Sequence, residues 1–163
     1  MKELNFLKNL KRRGTIKLVE SSEEMKASYI IKAENCLKSS KILFLNQLYE
    51  NSISEAYYCM YNSLLALLFK TGIKSENHSA SILLFEMLFK DNNLAEIILW
   101  AKEERIDKQY YVETQQAIKV TKESCKEMIL KAEDFLIKIR LLIGELNNDK
   151  IEFVRNSFVT LLG

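Results

Sequence analysis

Proline is absent from the 163 residues, and glycine appears four times. Both residues punctuate turns, so a chain this poor in them favours helices over a many-stranded sandwich. Histidine occurs once, and the three cysteines, Cys36, Cys59 and Cys125, lie far apart with no CxxC pair. That leaves no credible structural zinc site, and reduced thiols in a cytoplasmic protein are the expected state. No metal and no cofactor is expected. No apolar run approaches a bilayer span; the densest, Leu64 to Phe69, is under two helical turns. Lys8, Lys11, Arg12 and Arg13 interrupt the apolar core that a signal peptide requires.

What is present is an ordinary globular balance, 48% hydrophobic and 28% charged. The length suits one domain that buries about two-thirds of its unfolded surface. Net charge is +2, too small for a global field that selects nucleic acid. The charge is uneven, however. Residues 1–20 carry six Lys/Arg against Glu3 and Glu20, and the remainder sums to −2. We therefore divide the chain into a basic N-terminal arm, residues 1–20, and a helical bundle with a C-terminal helical extension, residues 21–163. The arm reads as a short helix and a linker, either a phosphate contact or a solvated terminus.

Hydrophobic periodicity predicts the helices. A helix opens near Ser21 or Ser22, where Ser21 with Glu24 has capping-box spacing, and runs to about Leu48, with Met25, Ile30, Ala33, Leu37, Ile42, Leu45 and Leu48 as its apolar residues. Ser52 with Glu55 repeats the spacing and opens a second helix from Ile53 to Lys70, which stops at Gly72. This helix is apolar almost all round, so it belongs at the centre of the fold. Asn77 or Ser79 caps a helix over 80–90, and another starts near Leu94. From Tyr111 through Thr114, Ile118, Thr121, Cys125, Met128, Ala132, Phe135, Ile139 and Leu142 to Leu146, spacings of three and four alternate without a miss. As one helix this seam would be about 53 Å long. It serves either packing inside the bundle or pairing with a second chain. A last helix covers 150–162. The fold class is all-α, an antiparallel bundle of about five to six helices.

Three segments resemble the HEPN family, helical domains often found beside minimal nucleotidyltransferases in archaea and bacteria. Ile53-Ser54-Glu55-Ala56-Tyr57-Tyr58-Cys59-Met60-Tyr61-Asn62 is similar to the family's aromatic central helix. Gly72-Ile73-Lys74-Ser75-Glu76-Asn77-His78-Ser79 is similar to its glycine-to-histidine loop. Arg105-Ile106-Asp107 with Tyr110-Tyr111 resembles its later Arg/Asp/Tyr element. The resemblance implies a homodimer that works with a minimal nucleotidyltransferase partner, as the toxin-like half of a two-protein module. It implies binding of a nucleotide, RNA or partner protein.

Many members are metal-independent ribonucleases with an arginine and a histidine separated by four to six residues. In that chemistry the histidine moves a proton and the arginine stabilises the phosphorane. This chain lacks the pair: the nearest arginine upstream of His78 is Arg13. Relatives often place an arginine and a histidine in the central helix where Glu55 and Asn62 stand here. Glutamate repels phosphate, and asparagine cannot shuttle a proton at neutral pH. Autonomous catalysis is therefore not expected, and the catalytic alternative is a rearranged site made from His78 and Arg105.

The candidate binding residues are Glu55, Tyr58, Asn62, Lys74, Asn77, His78, Arg105, Asp107 and Tyr111. Glu55, Cys59, Asn62 and Ser63 form a polar strip on an otherwise greasy helix, and such a strip lines a cleft or faces solvent. Tyr57, Tyr58 and Tyr61 either stack on a base or serve as core. His78 is a proton-transfer or phosphate candidate beside Lys74 and Asn77, or else a cap organiser. Lys102, Glu103, Glu104 and Lys108 read as a solvated charged run.

Overall fold

The computed structural model describes residues 1–105 and 120–163 in full, and 106–110 as backbone alone. Among these residues the chain is all-α apart from one short ladder. Seven helices occur: α1 (Lys2–Arg12), α2 (Glu23–Leu45), α3 (Tyr49–Lys70), α4 (His78–Phe89), α5 (Asn92–Tyr110), α6 (Lys122–Gly144) and α7 (Asn148–Leu162). Strand β1 (Ile16–Leu18) pairs antiparallel with β2 (Ile73–Ser75), in the register Ile16 to Ser75 and Leu18 to Ile73. Among the described residues, no helix is long and apolar enough to cross a membrane.

Helix α3 is the central rod. It packs against α2, α6 and α5, and the side chains of Ala56, Tyr57, Met60, Leu64, Leu67 and Leu68 are fully buried. Full burial of each large apolar side chain contributes about 1.5–3 kcal/mol. The helix begins at Tyr49, earlier than its sequence suggests, because Ser52 caps nothing. Its hydroxyl donates to the Ser40 carbonyl at 2.8 Å, and the Ser40 hydroxyl donates to the Ser52 carbonyl at 2.7 Å. This reciprocal pair clips α2 to α3 inside the core. Of the two serines at the start of α2, Ser22 is the cap and accepts the Met25 N–H, while Ser21 donates to the Lys70 carbonyl at 2.6 Å. The expected apolar stripe on α2 is not all buried, since Ile42, Leu45 and Leu48 are exposed.

The segment read as a linker after α1 contains β1. Three alternating residues are too short a pattern to announce a strand; the partner strand supplies the missing hydrogen bonds. Leu7, Ile16 and Ile73 are fully buried, so residues 2–18 are part of the packed body. Among the described residues α1 is the short helix expected in the N-terminal arm, and α2–α7 are the six helices of the expected bundle.

The heptad seam does not form one helix. Thr121 caps α6, accepting the Ser124 N–H at 3.0 Å, with Ser124 reaching back in a capping box. The seam's first residues, Tyr111, Thr114 and Ile118, lie outside the described residues. From Cys125 through Met128, Ala132 and Phe135 to Ile139 the seam is fully buried, packed on α3 and α2. Its use is internal, and those side chains are not presented to a second copy.

Candidate functional site

Tyr57 and Tyr61 are one turn apart on α3, so they share a face. Their rings lie nearly parallel, 6.2 Å between centroids. His78 reaches this face because the turn at Gly72 sends the chain back along β2, and Asn77 then starts α4 by accepting the Ala80 N–H at 2.9 Å. The imidazole stacks on Tyr61 at 3.8 Å, tilted 13°, and its Nδ1 lies 2.6 Å from the Tyr57 hydroxyl. Helix α5 supplies the cations. The Arg105 guanidinium sits 4.9 Å over the Tyr57 ring and 5.3 Å over the Tyr58 ring, and it donates to the Tyr58 hydroxyl at 3.0 Å. One turn earlier, Lys102 donates to the Ser79 hydroxyl at 2.7 Å.

Burial holds the His78 pKa below the usual imidazole range, and the positive charges of Arg105 and Lys102 add to the effect. The ring is therefore neutral at pH 7 and able to accept a proton or a hydrogen bond. Burial raises the Tyr57 and Tyr61 hydroxyls, so both stay protonated. Arg105 Nε is buried without a hydrogen-bond partner among the described residues. A neutral ring on an aromatic floor, with Arg105 held on Tyr57 and Tyr58 and Lys102 held on Ser79, is suited to a phosphate or another anion.

The sequence candidates divide. His78, Arg105 and Tyr58 come together. Asn77 is spent as a helix cap, and Lys74 on β2 pairs at 2.6 Å with Glu76 just past the strand. Glu55 and Asn62 are half-buried toward α2. Asn62 donates to its own helix at the Tyr58 carbonyl, 2.8 Å, and reaches Cys36 at 3.6 Å. Burial and the nearby Glu55 carboxylate push the Cys36 thiol up to about 11. Cys59 and Ser63 do not join a surface strip. Both are fully buried; Ser63 bonds back to the Met60 carbonyl at 2.8 Å, and burial pushes the Cys59 thiol up to about 12. The Asp107 side chain and Tyr111 lie outside the described residues.

Lys102 is a half-buried partner of Ser79, not part of a solvated run. Its spacing of three from Arg105 was the available signal, since residues three apart share a helix face. Tyr57 matters as much as Tyr58, which the apolar appearance of α3 conceals.

A family model for the HEPN domain matches residues 8–142, from within α1 almost to the end of α6. A Methanocaldococcus jannaschii protein named "Putative toxin MJ0605" is 31% identical over 129 residues, covering 76% of this chain and 92% of that protein. A second from the same organism, "Putative toxin MJ0142", is 30% identical over 132 residues, covering 74% of this chain and 88% of its own length.

Proposed function

This chain belongs to the HEPN-domain family, and from that premise we propose that it is a toxin-type member that binds the phosphodiester of an RNA or nucleotide at Tyr58, His78 and Arg105. The observation that carries this reading is the His78 imidazole stacked on Tyr61 and bonded to Tyr57, with Arg105 over the Tyr57 and Tyr58 rings and Lys102 one turn away on α5. Two cations and a hydrogen-bonding ring, fixed before any ligand arrives, lose little entropy on binding. Binding without autonomous cleavage is favoured because Glu55 and Asn62 turn toward Cys36, away from the His78 cluster, and neither supplies a cation.

The test is fluorescence anisotropy of a labelled single-stranded RNA and of a labelled nucleotide, at two salt concentrations. Affinity should fall with salt, and Arg105→Ala should weaken it about 10- to 100-fold, the range for losing a charge-assisted hydrogen bond. Salt-independent binding, or an unchanged affinity in Arg105→Ala, would remove this reading.

The second reading is metal-independent RNA cleavage with His78 as base and Arg105 as the charge stabiliser. It is favoured by the convergence of the two residues on Tyr57 and by the depressed His78 pKa. RNA incubated with a chelator decides: cleavage that disappears in His78→Ala would assign the chain to this class.

The names of the two relatives support a toxin role. The module expected from the resemblance, a homodimer that works with a minimal nucleotidyltransferase partner, is the proposal that follows. Co-expression with a neighbouring nucleotidyltransferase, followed by light scattering of the purified product, tests both parts.

A further inference from the structure

We propose that the groove between α1, α4 and α5 is a docking site for a basic, apolar segment of a partner protein, separate from the anion cluster around His78. The groove holds about 270 Å³, room for one or two large side chains. Its floor is apolar: Leu99 is 44% exposed, and Ile82 and Leu83 line the wall beside it. Its rim is acidic. Glu3, Glu86 and Glu96 come from three different helices, and all three are exposed. None of them has an ion pair among the described residues, whereas Glu23, Glu34, Glu133 and Asp134 are each paired with a lysine or arginine.

Charge and polarity together define the occupant. Three carboxylates around one opening repel each other, and a cation relieves that repulsion. An exposed apolar floor gains by covering. A segment with lysine or arginine flanking leucine-like side chains satisfies both demands. Nucleic acid does not, because the rim repels phosphate.

One hydrogen bond links the groove to the anion site. Ser79 lines the groove, and its hydroxyl accepts from Lys102, whose positive charge acts on His78. Occupancy of the groove therefore reaches His78 through Ser79 and Lys102, and this link rests on the functional reading of the His78 cluster given above.

Methyl NMR of the full chain tests the proposal. The probe is a synthetic twelve-residue peptide with leucine and lysine at helical spacing; its twin carries glutamate in place of lysine. The basic peptide should shift the Ile82, Leu83 and Leu99 methyl signals, and the acidic twin should not. The exposed double variant Glu86→Lys, Glu96→Lys should weaken binding at least tenfold. Equal binding by the variant or by the acidic twin would overturn the docking site. So would methyl shifts that follow protein concentration alone, which would mean that a second copy fills the groove. His78 is the only histidine, so its ring signal reports the link directly. Peptide binding that leaves this signal unmoved would overturn the coupling. The titration uses no RNA, so a failure of the RNA-binding reading is distinguishable from a failure here.

Discussion

The hydroxyl of Tyr57 and Nδ1 of His78 lie 2.6 Å apart, although the residues are separated by 21 positions. The contact engages Nδ1 of the imidazole, and the Tyr57 ring packs beside it. Tyr57→Phe keeps the ring volume and removes the bond. It should cost about 1 kcal/mol in urea unfolding, the usual net value of one such bond. It should also change the tautomer balance seen by ¹⁵N NMR of the single histidine. An unaltered imidazole spectrum would show that Tyr57 does not orient the ring.

Stability should depend on pH through the same residue. The folded protein holds the His78 pKa below its ordinary 6.5, chiefly by burial. The unfolded chain therefore takes up the proton first as pH falls. The contribution is fully present above the unfolded pKa and is lost as pH drops from about 6.5 toward the folded value. Urea midpoints measured between pH 7.5 and 5 should decline, and His78→Phe, which can still stack on Tyr61, should flatten that part of the curve.

Arg105 acts both as a charge and as a flat surface over two rings. Arg105→Lys keeps the charge but loses the planar stack and the fork of donors. It should recover only part of the ligand affinity lost in Arg105→Ala. Both variants speak to the His78 pKa. Removing the charge in Arg105→Ala should move it upward, toward the ordinary range, while Arg105→Lys should leave it closer to its native position.

Gly72 and Arg155 are packed too closely for any other residue at position 72. The Arg155 guanidinium donates to the Val19 carbonyl at 2.7 Å and to the Thr71 and Gly72 carbonyls at 3.3 Å each. A Cβ on Gly72 would meet that guanidinium and come within 2.5 Å of the Val19 oxygen, at a φ of +72°. Gly72→Ala should therefore lower stability by more than about 1 kcal/mol. Adding Arg155→Ala should not restore it, because the backbone clash with Val19 and the left-handed φ remain. Chemical denaturation of the two variants provides the comparison.

Phe135 lies in the part of the seam that is buried against α3 and α2. Phe135→Ala should cost about 3–5 kcal/mol, the range for deleting a buried aromatic ring. The effect should appear as a lower urea midpoint at every protein concentration. A midpoint that varied with concentration would point to subunit contacts at the seam.

Much of the fold was legible locally. The apolar circumference of Ile53 to Lys70 announced a buried rod, the Asn77 cap and the Gly72 stop were readable from residue type, and the spacing from Cys125 to Ile139 marked a packed face. The errors fell where a local signal had a competing tertiary use. Ser52 has the spacing of a cap, yet it is drawn into a bond with Ser40. Ser21 resembles a cap but closes the end of α3. Ser63 belongs to a polar strip by sequence, but its hydroxyl is satisfied by its own helix and buried.

By itself the sequence determined the helices, their central member and the residue types available for chemistry, because periodicity and capping act over one or two turns. Only the tertiary structure decided that Tyr57, His78 and Arg105 meet, that Lys102 joins them, and that β1 finds β2. Those encounters span 21, 47 and 23 positions for Tyr57–His78, Tyr58–Arg105 and Ser79–Lys102. They depend on how each helix is rotated against its neighbours, which the packing of the whole core sets and no short window of residues encodes.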